Sequence, residues 1–361
     1  MSFMRAFVFA IIILALSFLI YVYPLGVLSH LLFARDIFGV VTLIPTVIIA
    51  MTVWVYFRTH MKSPLLSLPI YYGMGMGFIG FWVVNIGLLA ALALPEFTFE
   101  IGLICLLFAV IACVKAIVNG HQIQLENIQI TSAKIKRHYS LVFISDVHLG
   151  SNPTRHLEKI CTRIDMLDYD ALLIGGDLFD SSAFQANDLA PLRAIRKPIL
   201  FVTGNHEYYV KDHTNKIAGL TDHNITILDN QTIQLEGLNI IGISDNQSPK
   251  RQLEIAITQL EGAQLEGATS APSRFNLLMV HQPSIWKDVP DSVDLMLSGH
   301  THNGQIFPFR LLVRLQFKNV YGIYKRLSST LYVSSGSGTW GPRMRLGTRN
   351  EIVHIQISPQ K

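Results

Sequence analysis

The pattern of apolar and polar positions divides the chain in two. As far as Val118, apolar residues run on in four long stretches, at about 6–28, 37–57, 69–94 and 101–118. Roughly 20 helical residues, each rising about 1.5 Å, cross a hydrocarbon core about 30 Å thick, and every stretch is near or above that length. The pattern therefore predicts an all-α, four-helix transmembrane region over residues 1–120. The first stretch has no clear small-x-small cleavage site and three more follow it, so it reads as a retained span, not a signal peptide. Pro24, Pro45, Pro69 and Pro95 fall at span ends or inside spans, where neighbouring helices can absorb the break. No span has an ionisable residue at its centre, which argues against an ion or proton path through the bundle.

From Tyr139 the pattern changes to short apolar runs that end in Gly, Asp, Asn or His. Leu141–Ser145, Ala171–Gly175, Ile199–Thr203, Leu238–Ile243, Phe275–Val280, Val293–Ser298, Leu331–Ser334 and Ile352–Ile357 read as strands. Helical patterns lie at about 153–168, 187–195 and 250–261. Strands alternating with helices predict an α/β domain with largely buried sheets over residues 139–361. Residues 121–138 read as a linker and entry strand, and no internal repeat or low-complexity run is present.

Composition sharpens the division. Only 15% of the chain is charged, against about 25% in an ordinary soluble protein. The deficit lies in the first third, where the formal charges are Arg5, Arg35, Asp36, Arg58, Lys62, Glu96, Glu100 and Lys115. The basic ones, continued by Lys134, Lys136 and Arg137, favour both termini and the second loop. The positive-inside rule then places the C-terminal domain in the cytoplasm, on the inner face of the cell membrane. A net charge of +4 without a nucleic-acid-binding motif gives no reason to expect nucleic acid as a partner. Cys105 and Cys113 sit in an apolar run and Cys161 in a helical pattern, so they read as small buried hydrophobes, not as a disulfide framework.

The chemistry lies where the strands stop. Leu141–Ser145 runs into Asp146-Val147-His148, and Ala171–Gly175 into Gly176-Asp177. Ile199–Thr203 leads to Gly204-Asn205-His206-Glu207, Phe275–Val280 to His281, and Val293–Ser298 to Gly299-His300-Thr301-His302. Groups at the carboxyl ends of strands converge on one edge of an α/β sheet. A lone Asp or His after a strand is usually a turn or capping residue. Five such endings in one domain, holding five of the thirteen histidines, are a different matter. Carboxylate, imidazole and amide oxygen together suit Mn, Zn, Fe or similar ions. Two divalent cations about 3.5–4 Å apart need an anionic bridge, which Asp177 is placed to provide. A pair of this kind binds phosphate and generates a hydroxide nucleophile from water at neutral pH.

Asp146-x-His148, Gly176-Asp177-x-x-Asp180, Gly204-Asn205-His206-Glu207, His281 and Gly299-His300-x-His302 together resemble the signature of the calcineurin-like metallophosphoesterases. The stretches 299–305 (GHTHNGQ) and 333–348 (VSSGSGTWGPRMRLGT) resemble the bacterial membrane-associated branch of that family. The resemblance covers about residues 138–358. It implies a four-layer fold, two packed β-sheets with helices outside. It also implies a dinuclear centre with two divalent ions drawn from Mn, Zn, Fe or Mg. Asp146, His148 and His302 would hold the first metal, Asn205, His281 and His300 the second, and Asp177 would bridge. His206 would sit over the phosphate and stabilise or protonate the leaving oxygen. Asn303 stands where this branch often has glycine, and Val280-His281-Gln282-Pro283 where Ser-His-Asn-Pro is common. Both departures bear on pocket shape, and neither removes a ligand.

Three functions follow. One is a phosphoesterase acting on a lipid-linked phosphate ester, diester or pyrophosphate. The second is a membrane-tethered phosphoesterase for a soluble substrate. The third is a non-catalytic metal-binding membrane scaffold, against which the full ligand set and His206 weigh. Phe307–Lys325 separates the first two. Pro308 can start a helix there, and Arg310, Arg314 and Lys318 are spaced by four, on one helical face. Phe309, Leu312, Val313 and Phe317 are apolar, and most can lie away from that stripe. The pattern fits a helix lying in the membrane interface, and equally a core helix with a solvated basic edge.

Overall fold

The computed structural model describes residues 3–36, 38–59, 64–235, 237–265 and 274–360. Ile37 and Lys62 lie outside the described residues, as do the side chains of Arg5 and Arg58. The chain forms two compact units, Met1–Val118 with Gly341–Leu346, and Asn119–Trp340 with Gly347–Lys361.

The first unit is helical. Phe3–Ser17 continues through a π-helical turn, Phe18–Val22, into Tyr23–Phe33, with Pro24 in the first turn of the last segment. Val40–Thr59, Pro64–Ala93 and Thr98–His121 follow, with Pro45 inside the first of these three and Pro69 inside the second. Among the described residues, Phe7–Phe33, Leu66–Ala93 and Pro95–His121 are long and apolar enough to cross a membrane. The stretch expected at 37–57 also forms a helix, but its apolar part, Val40–Tyr56, is shorter than those three. Val27, Leu31, Val84 and Ala91 pack together, while large apolar side chains such as Leu43, Ile86 and Leu107 face outward. An apolar exterior of this kind suits lipid, not water.

Among the described residues, the second unit is built on twelve strands. β1 (Ile123–Ser132), β2 (Tyr139–Ile144), β3 (Ala171–Gly175), β4 (Ile199–Val202) and β5 (Ile225–Ile227) enter one sheet. β6 (Gln231–Leu235), β7 (Leu238–Ile243), β8 (Phe275–Val280), β9 (Leu295–Ser298), β10 (Gly322–Arg326) and β11 (Ser329–Val333) make the other. β12 (Asn350–Pro359) returns to the first sheet, and the orders are β1-β12-β2-β3-β4-β5 and β10-β11-β9-β8-β7-β6. Within them β2, β3 and β4 run parallel, as do β7, β8, β9 and β11.

Alternation along each strand sends residues to opposite faces of its sheet, and this creates the layers. Leu141, Phe143, Leu173 and Leu200 of one sheet meet Ile240, Leu277, Met279 and Leu297 of the other in a buried cluster. The opposite face of the first sheet, with Val142, Ile144, Leu172 and Phe201, buries Leu157, Ile160 and Ile164 of the helix Thr154–Ile164. The opposite face of the second, with Ile241, Leu278 and Met296, buries Ala256 and Leu260 of the helix Pro249–Leu265. The result is the expected four-layer α/β/β/α arrangement. The helix expected at 187–195 is a 3-10 helix, Ala186–Ala194, because Pro191 inside it cannot complete an α-helical ladder.

Two expectations for Phe307–Lys325 are corrected. The helix there spans only Phe309–Gln316, so Lys318 lies beyond it. The chain turns extended at Phe317, which is buried. None of the residues of Phe309–Gln316 is buried, so it is not a core helix.

Candidate metal centre

All the parallel strands just named deliver their carboxyl ends to one rim, and the residues singled out in the sequence meet there. Nitrogen and oxygen atoms of Asp146, His148 and His302 lie within 4.8 Å of one another, and so do those of Asp177, His281 and His300. His148, Asp177 and His206 form a third such group that joins the other two. Asn205 lies in the same turn, between Gly204 and His206, and the His206 N–H donates to Asp177 Oδ1 at 2.9 Å.

The turns are locally strained. Asp146 (φ 54°), His148 (φ 53°), Asp177 (φ 52°), His300 (φ 71°) and His302 (φ 48°) all adopt left-handed backbone. Each such residue costs on the order of 1–3 kcal/mol, which the surroundings must offset. They do so by stitching the turns together. The Asp146 N–H donates to the Gly176 carbonyl and the His148 N–H to the Asp177 carbonyl, at 3.0 and 2.9 Å. The His300 N–H donates to the Asp146 carboxylate, 3.0 Å from Oδ1. The glycines explain themselves here. A Cβ on Gly176, itself at φ +89°, would fall 2.6 Å from His281 Nδ1, and one on Gly299 would fall 2.3 Å from Asp146 Oδ2. Asn303, the departure noted above, sits at φ 53°, a conformation in which Asn is the usual substitute for Gly. The second departure, Gln282, donates from Nε2 to Asp245 Oδ2 at 2.8 Å.

Three arrangements fit the site to cations. His281 Nδ1 lies 2.8 Å from the Gly175 carbonyl, which can only accept, so Nδ1 carries a proton. In neutral imidazole Nε2 then presents its lone pair, and it lies 3.1 Å from Asp177 Oδ2 and 3.3 Å from His300 Nδ1. A lone pair facing a carboxylate at that distance requires a positive charge between them. His148 repeats the pattern. Its Nδ1 lies 3.3 Å from Asp180 Oδ2, and its Nε2 lies 3.1 Å from His302 Nε2 and 3.7 Å from Asp177 Oδ2. A ring nitrogen committed to a carbonyl or carboxylate, with its twin turned inward, is the usual setting of a metal-binding histidine. Third, Asn205 Oδ1 is buried without a hydrogen-bond partner.

The titration behaviour reports the same electrostatics. Burial works against charge on Asp177, but His281 and His148 outweigh it and hold the carboxyl well below its usual range. Burial likewise opposes charge on His281, yet Asp177 lifts it well above the ordinary imidazole value. Burial pushes His206 down to about 4 and His300 down to about 3, so both are neutral at pH 7. Burial raises the Asp146 carboxyl.

Several contributors, most of them inside the motifs above, had no role assigned from sequence. Glu207, fully buried, accepts the N–H groups of Asp177 (3.0 Å), Gly204 (2.7 Å) and Phe179 (3.1 Å), and so joins two of the turns. Burial, reinforced by Asp177, pushes its carboxyl up to about 8 despite those donors. Asp180 orients His148 and is held by Ser151. Trp340 and Tyr209, both largely exposed, flank the His206 ring at centroid distances of 5.7 and 5.3 Å. Gln305 clamps the Trp340 backbone, donating to its carbonyl at 3.0 Å and accepting from its N–H at 2.9 Å. Gln305 closes the GHTHNGQ string, but nothing local to it names Trp340 as its partner.

A comparison with known proteins adds the family. The calcineurin-like phosphoesterase model matches residues 139–304. An uncharacterised metallophosphoesterase of Campylobacter jejuni is 34% identical over 273 residues, covering 73% of this chain and 70% of its own. The chain belongs to the calcineurin-like metallophosphoesterases. An uncharacterised metallophosphoesterase of Helicobacter pylori is 35% identical over 63% of this chain, which spans 62% of that relative's length. A bovine transmembrane protein with a metallophosphoesterase domain is 34% identical over 60% of this chain and 52% of its own. The clustered Asp and His groups of this metallophosphoesterase thus lie within the matched region, save for the aromatic rim at Trp340.

Glu207 yields the prediction that follows from this geometry. Glu207→Ala strips three buried N–H groups of their acceptor, each worth about 1–3 kcal/mol. It should lower the thermal unfolding midpoint clearly and loosen metal binding, while Glu207→Gln, which keeps one acceptor oxygen, should lose less. Equal midpoints for both variants and the parent would show that Glu207 does not brace the turns.

Proposed function

We propose that this chain is a membrane-anchored, metal-dependent phosphoesterase that hydrolyses a phosphate ester, phosphodiester or pyrophosphate, one whose substrate is lipid-linked. The observation that carries the reading is the set of inward lone pairs of His281 and His148 facing the Asp177 carboxylate. Asp146, His148 and His302 would hold one divalent cation, and Asn205, His281 and His300 the other, with Asp177 shared. The two clusters of nearby ligand atoms and the unpartnered amide oxygen of Asn205 support that division. Oxygen and imidazole ligands without thiolate suit Mn, Fe, Zn or Mg. Bound there, two cations would supply a nucleophile from water at neutral pH and offset charge on the phosphoryl oxygens.

The chain's own residues do the rest. His206, in the group with His148 and Asp177, is assigned here to the substrate oxygen and not to a metal. Because burial keeps it neutral at pH 7, it acts there as a neutral N–H donor to the phosphoryl or leaving oxygen. Trp340 and Tyr209 limit the freedom of that ring. The three long apolar helices and the transmembrane relative support a multi-pass membrane protein, and the loop charges support a cytoplasmic catalytic domain at the inner membrane. A tethered enzyme for a soluble substrate is the second reading, and a non-catalytic scaffold fits poorly with a complete ligand set.

Asp177→Ala removes the shared carboxylate. It should lose both metals by elemental analysis, together with nearly all metal-dependent hydrolysis of an aryl phosphate. Retention of two ions would refute the bridging assignment. His206→Ala should keep its metal content while turnover falls roughly 10²–10⁴-fold. A missing ion in that variant would make His206 a ligand. A periplasm-dependent reporter fused after Lys361 should be silent, and a strong signal would reverse the topology.

A further inference from the structure

The helix Phe309–Gln316 is amphipathic in the wrong sense for a water-soluble domain. At about 100° per residue, Leu311, Leu312 and Leu315 form one stripe. They are 54%, 53% and 84% exposed, so the stripe faces away from the domain. Phe307 and Phe309, exposed as well, extend the apolar patch. The face that packs inward is the one bearing Arg310 and Val313, both only partly accessible. The other two basic residues, Arg314 on the helix and Lys318 just past it, are exposed at the border of the patch. A contiguous apolar face rimmed by cations, on a chain that also carries membrane-length apolar helices, matches a bilayer with anionic headgroups.

The helix is also coupled to the metal centre. It sits so close over the ligand loop that a Cβ on Gly304 would fall 2.3 Å from Arg310 Cα. Phe317, which ends the helix, meets the His300 ring edge-on with centroids 5.1 Å apart. The Thr301 hydroxyl donates to the Val320 carbonyl at 2.6 Å, tying the returning chain to the same loop.

We propose that Phe309–Gln316 is a docking helix that inserts Leu311, Leu312 and Leu315 into an anionic phospholipid bilayer and thereby presents the metal centre to amphiphilic phosphates held in that bilayer. The inference deepens the lipid-linked reading of the site, and its primary readout does not depend on catalysis.

The test uses the full chain reconstituted in phosphatidylcholine vesicles containing phosphatidylglycerol. Cys105, Cys113 and Cys161 are replaced, and Leu315→Cys carries an environment-sensitive fluorophore. A blue-shifted emission, quenched by spin-labelled lipid and shielded from aqueous iodide, is expected. The same probe at Met166, exposed elsewhere on the domain, should be quenched by iodide. Iodide quenching at both positions overturns the proposal. So does concentration-dependent cross-linking through Leu315→Cys without lipid quenching, which would make a second copy the occupant. The pair Leu311→Asp and Leu315→Asp should lower hydrolysis of a long-chain phosphate in the vesicles roughly tenfold or more while sparing a small aryl phosphate. Equal loss on both substrates also counts against docking. A lipid-buried probe in a protein that hydrolyses neither substrate would support docking and sink the phosphoesterase reading instead.

Discussion

Two lone pairs cannot face one carboxylate across 3–4 Å without a positive charge between them, and the catalytic unit is arranged around that requirement. His281 and His148 have partners on the sides facing away from Asp177, the hydrogen-bonded Gly175 carbonyl for the first and the Asp180 carboxylate, 3.3 Å away, for the second. Those partners are fixed because Gly175 closes a central buried strand and Asp180 is held by Ser151. The left-handed turns that aim Asp146, Asp177 and His300 inward are strained, and the N–H donors stitched across them hold the strain in place. Beneath the rim, the inter-sheet cluster around Phe143, Leu200 and Leu277 gives the turns a stiff base. The turns and the core beneath them thus hold these side chains toward one point.

What was legible in the sequence follows from burial. The central strands are apolar on both faces, so they appear as unbroken runs ending at the ligand turns. β3, with ALLIG wholly buried, is the clearest case. The edge strands β5, β6 and β10 went unread because solvent covers one face and polar residues interrupt them. Gln231–Leu235 and Gly322–Arg326 are only partly buried. β1, also an edge strand, gave only the hint of an entry strand, and its parallel pairing with β12 across the whole domain is a tertiary event. The site residues were legible for a different reason. Glycine beside a ligand type marks a turn with no room for a Cβ, as Gly176 and Gly299 show. Glu207 stood inside a quoted string, but its role as a triple acceptor depends on turns from two strands meeting, which no local pattern records. The clamp of Gln305 on Trp340 joins residues 35 apart and was equally hidden.

The segment after the ligand loop shows where sequence periodicity stops being informative. Basic residues in steps of four among apolar ones satisfy a core helix and an interfacial helix alike. The deciding fact is which stripe packs against the domain. In Phe309–Gln316 the leucines point out and the half-buried face holds Arg310, an inversion set by the close seating of the helix on Gly304. The expected basic stripe was also too long, since extended backbone at Phe317 ends the helix and turns that ring onto His300.

Under the lipid-linked reading of the site, the inversion would serve what such a phosphate demands. Each methylene buried in a bilayer holds its substrate there by about 0.8 kcal/mol, so an acyl chain of about 14 carbons resists extraction by roughly 10 kcal/mol. An enzyme that lifted such a molecule out would lose most of its binding energy before chemistry began. Bringing the metal centre to the headgroup avoids that loss, because the chain never leaves the lipid. A membrane span alone holds the domain near the surface without orienting it. Under the proposed docking, an exposed leucine stripe fixed to the loop that bears His300 and His302 would add orientation, since lipid contact on the helix would set the position of the rim beside it. A soluble phosphate ester would gain nothing from that arrangement, so under the proposed function an amphiphilic substrate would account for the cost of exposing Leu311, Leu312 and Leu315.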